Sequence, residues 1–267
     1  MKLPVSSWKR TLKTLGLKLV SDSKQVQARS RLSRRKQQLA VRTSHGYETL
    51  EPKQLLAADG MISVVDSLFD RSFQYSESGQ SENNYSLDHS RWARGTAFSD
   101  DGRLQFVVDA GRRVYVYDTD SQSQVGSWSI GAVASPQGIA VDGNDILIVD
   151  QWHDRVYRFE NGVDFRSSEH ASDSNFRLKS GNHRPSGIST DGENIWVVDR
   201  GNDRVYVYGA DGQRRGNWRL DEANKRPTGI AYDPDSNGIW VVDEQDNRAY
   251  FYEDGQSYVS GRRDANL

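Results

Sequence analysis

Four copies of one sequence pattern constrain the fold of this chain more than any other feature. Their leading glycines are Gly95, Gly138, Gly187 and Gly229, at successive steps of 43, 49 and 42 residues. A period in this range is typical of solenoids, propellers and arrays, in which each unit buries its apolar face against the next. The repeat therefore predicts the architecture, although a fold does not by itself define a function.

Each copy contains three short runs with β-strand character, separated by turn residues. In the third copy the runs are residues 187–189, 195–198 and 204–208, with turns at Asp191-Gly192 and at residues 201–203. Their β-branched and aromatic content favours strands, and each run is too short for an ordinary helix. A fourth run follows in three copies, around Trp128, Phe176 and Trp218. Four antiparallel strands per unit predict an all-β chain built from β-propeller blades.

The pattern Pro-x-Gly-Ile-Ala, a turn, a hydrophobic run ending in Asp, and Asn-x-Arg-Val-Tyr resembles the NHL repeat. The opening proline is present as Pro136, Pro185 and Pro227, whereas Ala93 replaces it in the first copy. The resemblance covers about residues 91 to 260. It implies a propeller with a binding role, and no particular substrate.

A fifth, degraded unit precedes these four. Residues 62–66 match the second run, and Asp66 lies 43 residues before Asp109. Residues 72–75 and 85–87 correspond to the third and fourth runs, but the sequence shows no recognisable first run. We therefore predict an NHL-like propeller over residues 61–267, with about four clear blades and a partial one. Its closure and oligomeric state stay open.

Charge divides the chain into two parts. Residues 1–42 contain 12 Lys or Arg and one acid, a net charge of +11, and the remainder carries a net −13. An acidic propeller is not expected to bind nucleic acid, because that affinity comes largely from neutralising phosphates. With no cysteine, the chain can form neither a disulfide nor a thiolate metal site.

Residues 1–60 are predicted to form a basic, partly helical or disordered tail. Val5, Trp8, Leu12, Leu15 and Leu19 follow a helical spacing among basic residues, a pattern suited to an anionic membrane surface or a partner groove. A solvated targeting segment is the alternative interpretation. The spacing predicts membrane-surface contact through residues 1–20.

The segment Leu50–Asp59 resembles the LEPR-XLL region found near the amino end of many bacterial surface and extracellular proteins. Lys53 stands where that family usually has arginine, and a basic stretch lies upstream at residues 34–36. The resemblance implies export to the cell envelope or beyond. The alternative is a linker that matches by chance.

Two patterns suggest chemistry without supporting it. Asp233–Gly238 followed by Glu244 satisfies a calcium-loop pattern, but the repeat places residues 239–242 in a strand, which would carry Glu244 about 20 Å away. The five histidines show no ligand spacing, so neither a metal nor a cofactor is predicted.

An aspartate and an arginine recur in every copy. A recurring pair indicates a structural role, with the arginine crossing a tight turn to the aspartate. These pairs are Asp109/Arg113, Asp150/Arg155, Asp199/Arg204 and Asp243/Arg248.

Residues that differ between repeats are better candidates for a ligand site. In a propeller, the turns between the second and third strands and the connections between blades open on one face. The candidates at these positions are Trp152, His153, Arg184, Arg200, Arg226 and Glu244. Aromatic and arginine side chains dominate binding hot spots. Ordinary surface variation is the alternative for each of them. The 49-residue step also places a loop insertion at residues 165–175.

Together these features predict an exported, non-enzymatic propeller that binds protein or glycan at the bacterial envelope or outside the cell. One alternative is a lactonase- or esterase-like propeller hydrolase with a central divalent metal. Another is an intracellular scaffold whose basic tail binds membrane or nucleic acid.

Overall fold

The computed structural model describes residues 53–58, 61–76 and 79–265, with side chains from Ile62 onward. This part of the chain is all-β, and its strands form five sheets that are the blades of a propeller. The predicted fold class is confirmed. Within each blade, the central strands are buried on both faces because neighbouring blades cover them. The predicted helix within residues 1–20 lies outside the described residues. Among the described residues, no helix has the length and apolar character needed to span a membrane.

The five blades, named A to E, follow one another along the chain. Blade A contains β1 (Lys53–Ala58), β2 (Met61–Asp66), β3 (Arg71–Ser76) and β4 (Ser81–Ser86). Blade B contains β5 (Ala93–Phe98), β6 (Leu104–Asp109), β7 (Arg113–Asp118) and β8 (Ser123–Ile130). Blade C contains β9 (Pro136–Asp142), β10 (Asp145–Asp150), β11 (Arg155–Phe159) and β13 (Ser174–Arg177), with β12 (Glu169–His170) between the last two in sequence. Blade D contains β14 (Pro185–Thr190), β15 (Asn194–Asp199), β16 (Arg204–Gly209) and β17 (Arg214–Arg219). Blade E contains β18 (Pro227–Asp233), β19 (Gly238–Asp243) and β20 (Arg248–Tyr252), three strands among the described residues.

Blade A has an inner strand that the sequence did not reveal. β1 pairs antiparallel with β2 in a regular ladder from Lys53↔Asp66 to Ala58↔Met61, and it contacts the inner strands of blades B and E. The predicted boundary between residues 60 and 61 falls between these two hydrogen-bonded strands. The strand lies inside the segment that resembles the LEPR-XLL region.

The inner strands of blades B to E share a β-bulge that β1 lacks. In blade D, Pro185 pairs with Asp199 and Gly187 pairs with Val198, so that Ser186 is an extra residue between two ladder positions. A bulge redirects one side chain and is common beside functional sites. The four bulged residues are Arg94, Gln137, Ser186 and Thr228.

The insertion predicted as a loop is instead packed against the preceding blade. After a 3₁₀ turn at Gly162–Asp164, the chain reaches β12, which pairs in parallel with β8 of blade B. Blade E repeats this arrangement after Gly255–Ser257, where residues 259–263 run along β17 of blade D. We call these two segments, residues 165–170 and 258–263, the straps. Each strap passes over a glycine, and a Cβ added at Gly216 would lie only 2.2 Å from Val259 O.

Each strap covers a buried tryptophan of the preceding blade. The Trp218 ring lies 4.9 Å from the Tyr252 ring and 5.5 Å from the Tyr258 ring, both from blade E. Trp128 has equivalent contacts with Phe159 and Phe165 of blade C. Such edge-to-face aromatic pairs contribute about 0.5–1.5 kcal/mol each beyond the burial of their area. The straps therefore couple blade B to blade C and blade D to blade E.

Candidate functional site

One end of the propeller carries the turns between the second and third strands and the connections between blades. We call it the turn face; its turns are residues 67–70, 110–112, 151–154, 200–203 and 244–247. Backbone hydrogen bonds join these turns to the connections that enter their own blades. Arg200 N donates to Arg184 O at 3.0 Å, and Glu244 N donates to Arg226 O at 3.1 Å. These backbone bonds therefore fix each turn against the connection beside it.

The recurring aspartates hold this face together. Asp199 Oδ1 accepts hydrogen bonds from the amides of Gly201 (2.7 Å) and Asn202 (3.1 Å), and Oδ2 accepts one from the amide of Arg184 (3.0 Å). Equivalent bonds are made by Asp109, Asp150 and Asp243. Burial raises the pKa of Asp109, although hydrogen bonds from backbone amides oppose that shift. The carboxylates satisfy buried N–H groups of the turn and of the connection beside it.

Among the described residues, the guanidinium groups of the recurring arginines form no ion pair with those aspartates. Arg113 donates to Ser127 and Ser129 of β8, both at 2.8 Å. Arg155 and Arg204 donate in the same way to asparagines on β13 and β17, whereas Arg248 Nη1 lies 3.8 Å from Asp246 Oδ2. This differs from the predicted salt bridge across the turn. The reason is that turn and connection amides already occupy the aspartate oxygens, while the outer strand offers acceptors to the arginine.

Three of the predicted site residues meet at one place. Glu244 Oε1 lies 2.6 Å from Arg226 Nη2 and 3.6 Å from Arg200 Nη2, and the Glu244 side chain is only 9% exposed. Among the described residues, this oxygen accepts no well-aligned hydrogen bond despite these short distances. The three residues therefore form a charge cluster in which one largely buried carboxylate lies beside two guanidinium groups.

Arg94, which the sequence did not single out, lies within electrostatic range of Arg200 and Glu244. It is the bulged residue of β5, and its Nε is shielded from solvent without a hydrogen-bond partner in the part of the chain that is described. Burial lowers the pKa of the Arg94 guanidinium, and Arg200 lowers it further, while Glu244 partly opposes this. Because blade B adjoins neither blade D nor blade E, we place the meeting of these residues near the propeller axis. We call Arg94, Arg200, Arg226 and Glu244 the axial cluster.

Of the other predicted site residues, Trp152 and His153 stand apart from the axial cluster, whereas Arg184 is bonded to Arg200 through the backbone. Trp152 is 77% exposed on the turn of blade C. His153 Nδ1 lies 2.7 Å from Asp150 Oδ2 and 3.4 Å from the hydroxyl of Tyr157. The aliphatic part of Arg184 packs over Gly201, where an added Cβ would lie 3.0 Å from Arg184 Cδ. Across the described residues, no hydrogen bond, ion pair or ring contact joins Trp152 or His153 to the cluster.

An exposed apolar group on the turn face also escaped prediction. Leu68 and Phe69 are 61% and 53% exposed on the turn of blade A, and Trp92 is 66% exposed on the connection to blade B. Trp92 N donates to Asp70 Oδ1 at 3.1 Å, which links that connection to the blade A turn. We call Leu68, Phe69 and Trp92 the apolar patch. Its only sequence signal is a pair of large hydrophobic residues in a turn of the degraded repeat.

Two grooves lie at equivalent places on the rim of the turn face. The one on blade D has a volume of about 570 Å³ and is lined by charges of both signs, among them Asp203, Arg219 and Lys225. Its equivalent on blade C has about 300 Å³ and includes Asp154, Arg177 and His183. Within the described ranges, no group of three or more His, Asp or Glu side chains is arranged to hold a metal ion.

The class that this fold defines is the β-propeller. No protein-family model matches the chain, and no curated protein matches its sequence. Among solved structures, the chain is similar to a catalytically inactive virginiamycin B lyase from Staphylococcus aureus with quinupristin, with TM-score 0.49 and 15% identity over 76% of this chain and 67% of that one. A streptogramin B lyase gives TM-score 0.49 and 15% identity over 77% of this chain and 65% of that one. The chain thus spans about two thirds of each neighbour. The resemblances to NHL repeats and to the LEPR-XLL region stay predictions.

Proposed function

We propose that this protein is a non-enzymatic binding propeller that takes a protein or glycan ligand on its turn face. The observation that carries the proposal is the exposed apolar patch beside the charged axial cluster. Among the described residues, six large hydrophobic side chains are exposed, and four of them lie on this one face: Leu68, Phe69, Trp92 and Trp152. Grouped exposed apolar residues near polar groups are typical of interaction sites, whereas single ones are normal on any surface.

The backbone at Trp92 gives independent support. Its φ is 58°, a left-handed conformation that bulky residues adopt rarely. A non-glycine residue in this region costs on the order of 1–2 kcal/mol. Strain of this kind concentrates at ligand sites, where the surrounding structure maintains it. At Trp92 the strained backbone presents a large aromatic ring to solvent, as a binding surface requires.

Replacing Trp92 with glycine is expected to abolish ligand binding without destabilising the protein. Glycine adopts a positive φ freely, so the relief of strain offsets its greater entropy in the unfolded chain. The full-length protein would be screened on a glycan array and a peptide array, and binders would be compared between wild type and W92G. Arg103→Gln, on an exposed turn at the opposite end of blade B, is the control for a surface change away from this face. A screen without any binder sensitive to W92G would overturn the proposal.

We also propose that the protein is exported. The support is the segment around residues 50–59, together with the basic residues upstream of it. Because β1 begins at Lys53, any removal of a leader is expected to occur before that residue. The intact mass of the protein would be measured in the cytoplasm, envelope and medium of its host. Full-length protein confined to the cytoplasm would overturn the export proposal and leave ligand binding untouched.

A further inference from the structure

We propose that the axial cluster binds a carboxylate, presented by an acidic side chain of a partner protein that also covers the apolar patch. This inference rests on the proposed binding function of the turn face. The cluster has three guanidinium groups and one carboxylate, a local excess of two positive charges, although residues 43–267 carry a net −13. A positive site inside an acidic protein attracts an anion only at short range, because the net charge of the protein repels anions at long range.

The electrostatics of Arg94 indicate an incomplete site. Its pKa is lowered first by burial and then by Arg200, so two like charges are held together in a partly dry environment. The bulged residues of blades C, D and E at the same position are neutral. Ser186 Oγ, for example, donates to Pro227 O at 2.8 Å. Only blade B places a charge there, and its buried Nε has no partner among the residues described. An anion would supply the missing acceptor and offset the repulsion.

The guanidinium donors of the cluster and the acidic surface around it together favour a carboxylate over a polyphosphate. Guanidinium groups bind carboxylates through two parallel hydrogen bonds, so either anion matches the donors. The guanidinium groups outweigh Glu244, so the cluster itself attracts either anion. The acidic remainder of the propeller adds long-range repulsion against a polyphosphate chain. The weaker long-range repulsion of an isolated side-chain carboxylate therefore favours it over a polyphosphate chain.

The apolar patch favours a protein as the source of that carboxylate. Leu68 and Phe69 offer aliphatic and aromatic surface without a polar group, which complements the apolar side chains of a protein. Arginine with a neighbouring tryptophan is also typical of protein–protein hot spots. Trp92 lies two residues before Arg94, at most about 7 Å along an extended chain. One acidic residue with apolar neighbours can therefore reach the patch and the cluster together.

Binding of a random copolymer of glutamate and tyrosine to the full-length protein tests the inference. Fluorescence anisotropy would compare this probe with polygalacturonate and inorganic polyphosphate of matched charge. Wild type is expected to bind the copolymer most tightly. Arg94→Met is expected to weaken that binding about 30-fold or more, the effect of removing one partner of a buried charge pair. Arg103→Met, an exposed arginine at the opposite end of blade B, is expected to leave it unchanged.

Thermal unfolding shows whether a variant that loses binding is still folded. Without ligand, Arg94→Met is expected to keep the melting temperature or raise it by about 2–4 °C, because its repulsion with Arg200 is relieved. Binding lost in W92G but kept in Arg94→Met would overturn the axial site and leave the proposed face intact. Binding kept in both variants would overturn both proposals. Tighter binding of polygalacturonate would replace the protein partner with an acidic glycan, and tighter binding of polyphosphate would overturn the carboxylate.

Discussion

Asp199→Ala is expected to lower the free energy of unfolding by about 3–5 kcal/mol, because several buried donors lose a charged acceptor together. The carboxylate is buried and accepts three amide hydrogen bonds, two from its own turn and one from Arg184 in the preceding connection. Alanine leaves these N–H groups without that acceptor, and each unsatisfied buried donor costs about 1–3 kcal/mol. Part of the loss is recovered where the turn can admit water, so we expect less than the full sum.

Urea unfolding followed by circular dichroism would measure this loss. Asp199→Asn retains one acceptor oxygen, and we expect it to lose about half as much as alanine. Asp100→Ala, at an exposed turn of blade B, is the matched control and is expected to change the free energy by less than about 0.5 kcal/mol. If Asp199→Ala unfolded at the same urea concentration as Asp100→Ala, the turn amides would not depend on the carboxylate. The recurring aspartate would then need another explanation.

The repeat predicted blades B to E well because their strands are recorded in local sequence. Each second strand is a hydrophobic run that ends in an aspartate, and that aspartate is required by the hydrogen bonds of the following turn. The inner strand β1 has no such signature. Its ladder with β2 is regular and lacks the bulge of the other inner strands, so the Pro-x-Gly pattern is absent. The strand is defined by its backbone pairing with β2, and no characteristic residue marks it in the sequence.

The contact between blades A and B shows a second limit of sequence reasoning. Buried Gln105 occupies a position that isoleucine holds in blades C, D and E, as Ile146, Ile195 and Ile239. Its amide donates to Ser63, Ser72 and Thr96 at 2.8–3.3 Å, and it accepts from Tyr85. Alone, the glutamine resembles a surface residue within a strand. Its partners belong to four other strands, so only the assembled propeller explains it.

The candidate site was predictable only in part, and for the same reason. Arg200, Arg226 and Glu244 were found because turns and connections share one face in any propeller. Arg94 lies on a strand of the repeat, where its charge suggests no role until the bulge and the opposite blades are known. Convergence across the axis of a ring depends on the number of blades, which the sequence left open.

Trp218→Ala is expected to lower the free energy of unfolding by about 3–5 kcal/mol, as large-to-small changes of buried aromatic residues do. Trp218 is fully buried in blade D, between Tyr252 of β20 and Tyr258 of the strap. Its removal leaves a cavity where the strap crosses β17. Because a backbone carbonyl of the strap lies against Gly216, the surrounding chain has little freedom to close that cavity. The lost stability therefore comes mainly from the contact between blades D and E.

Thermal unfolding with hydrogen exchange would separate this effect from a general loss of packing. Trp152→Ala removes a tryptophan that is largely exposed and is expected to change the free energy by less than about 0.5 kcal/mol. In Trp218→Ala, we expect the amides of Asn217 and Arg219, which bond to the strap, to exchange faster than those of β6 in blade B. Uniformly faster exchange in every blade would contradict this. It would show that the strap belongs to one cooperative unit with the whole propeller and does not couple a single pair of blades.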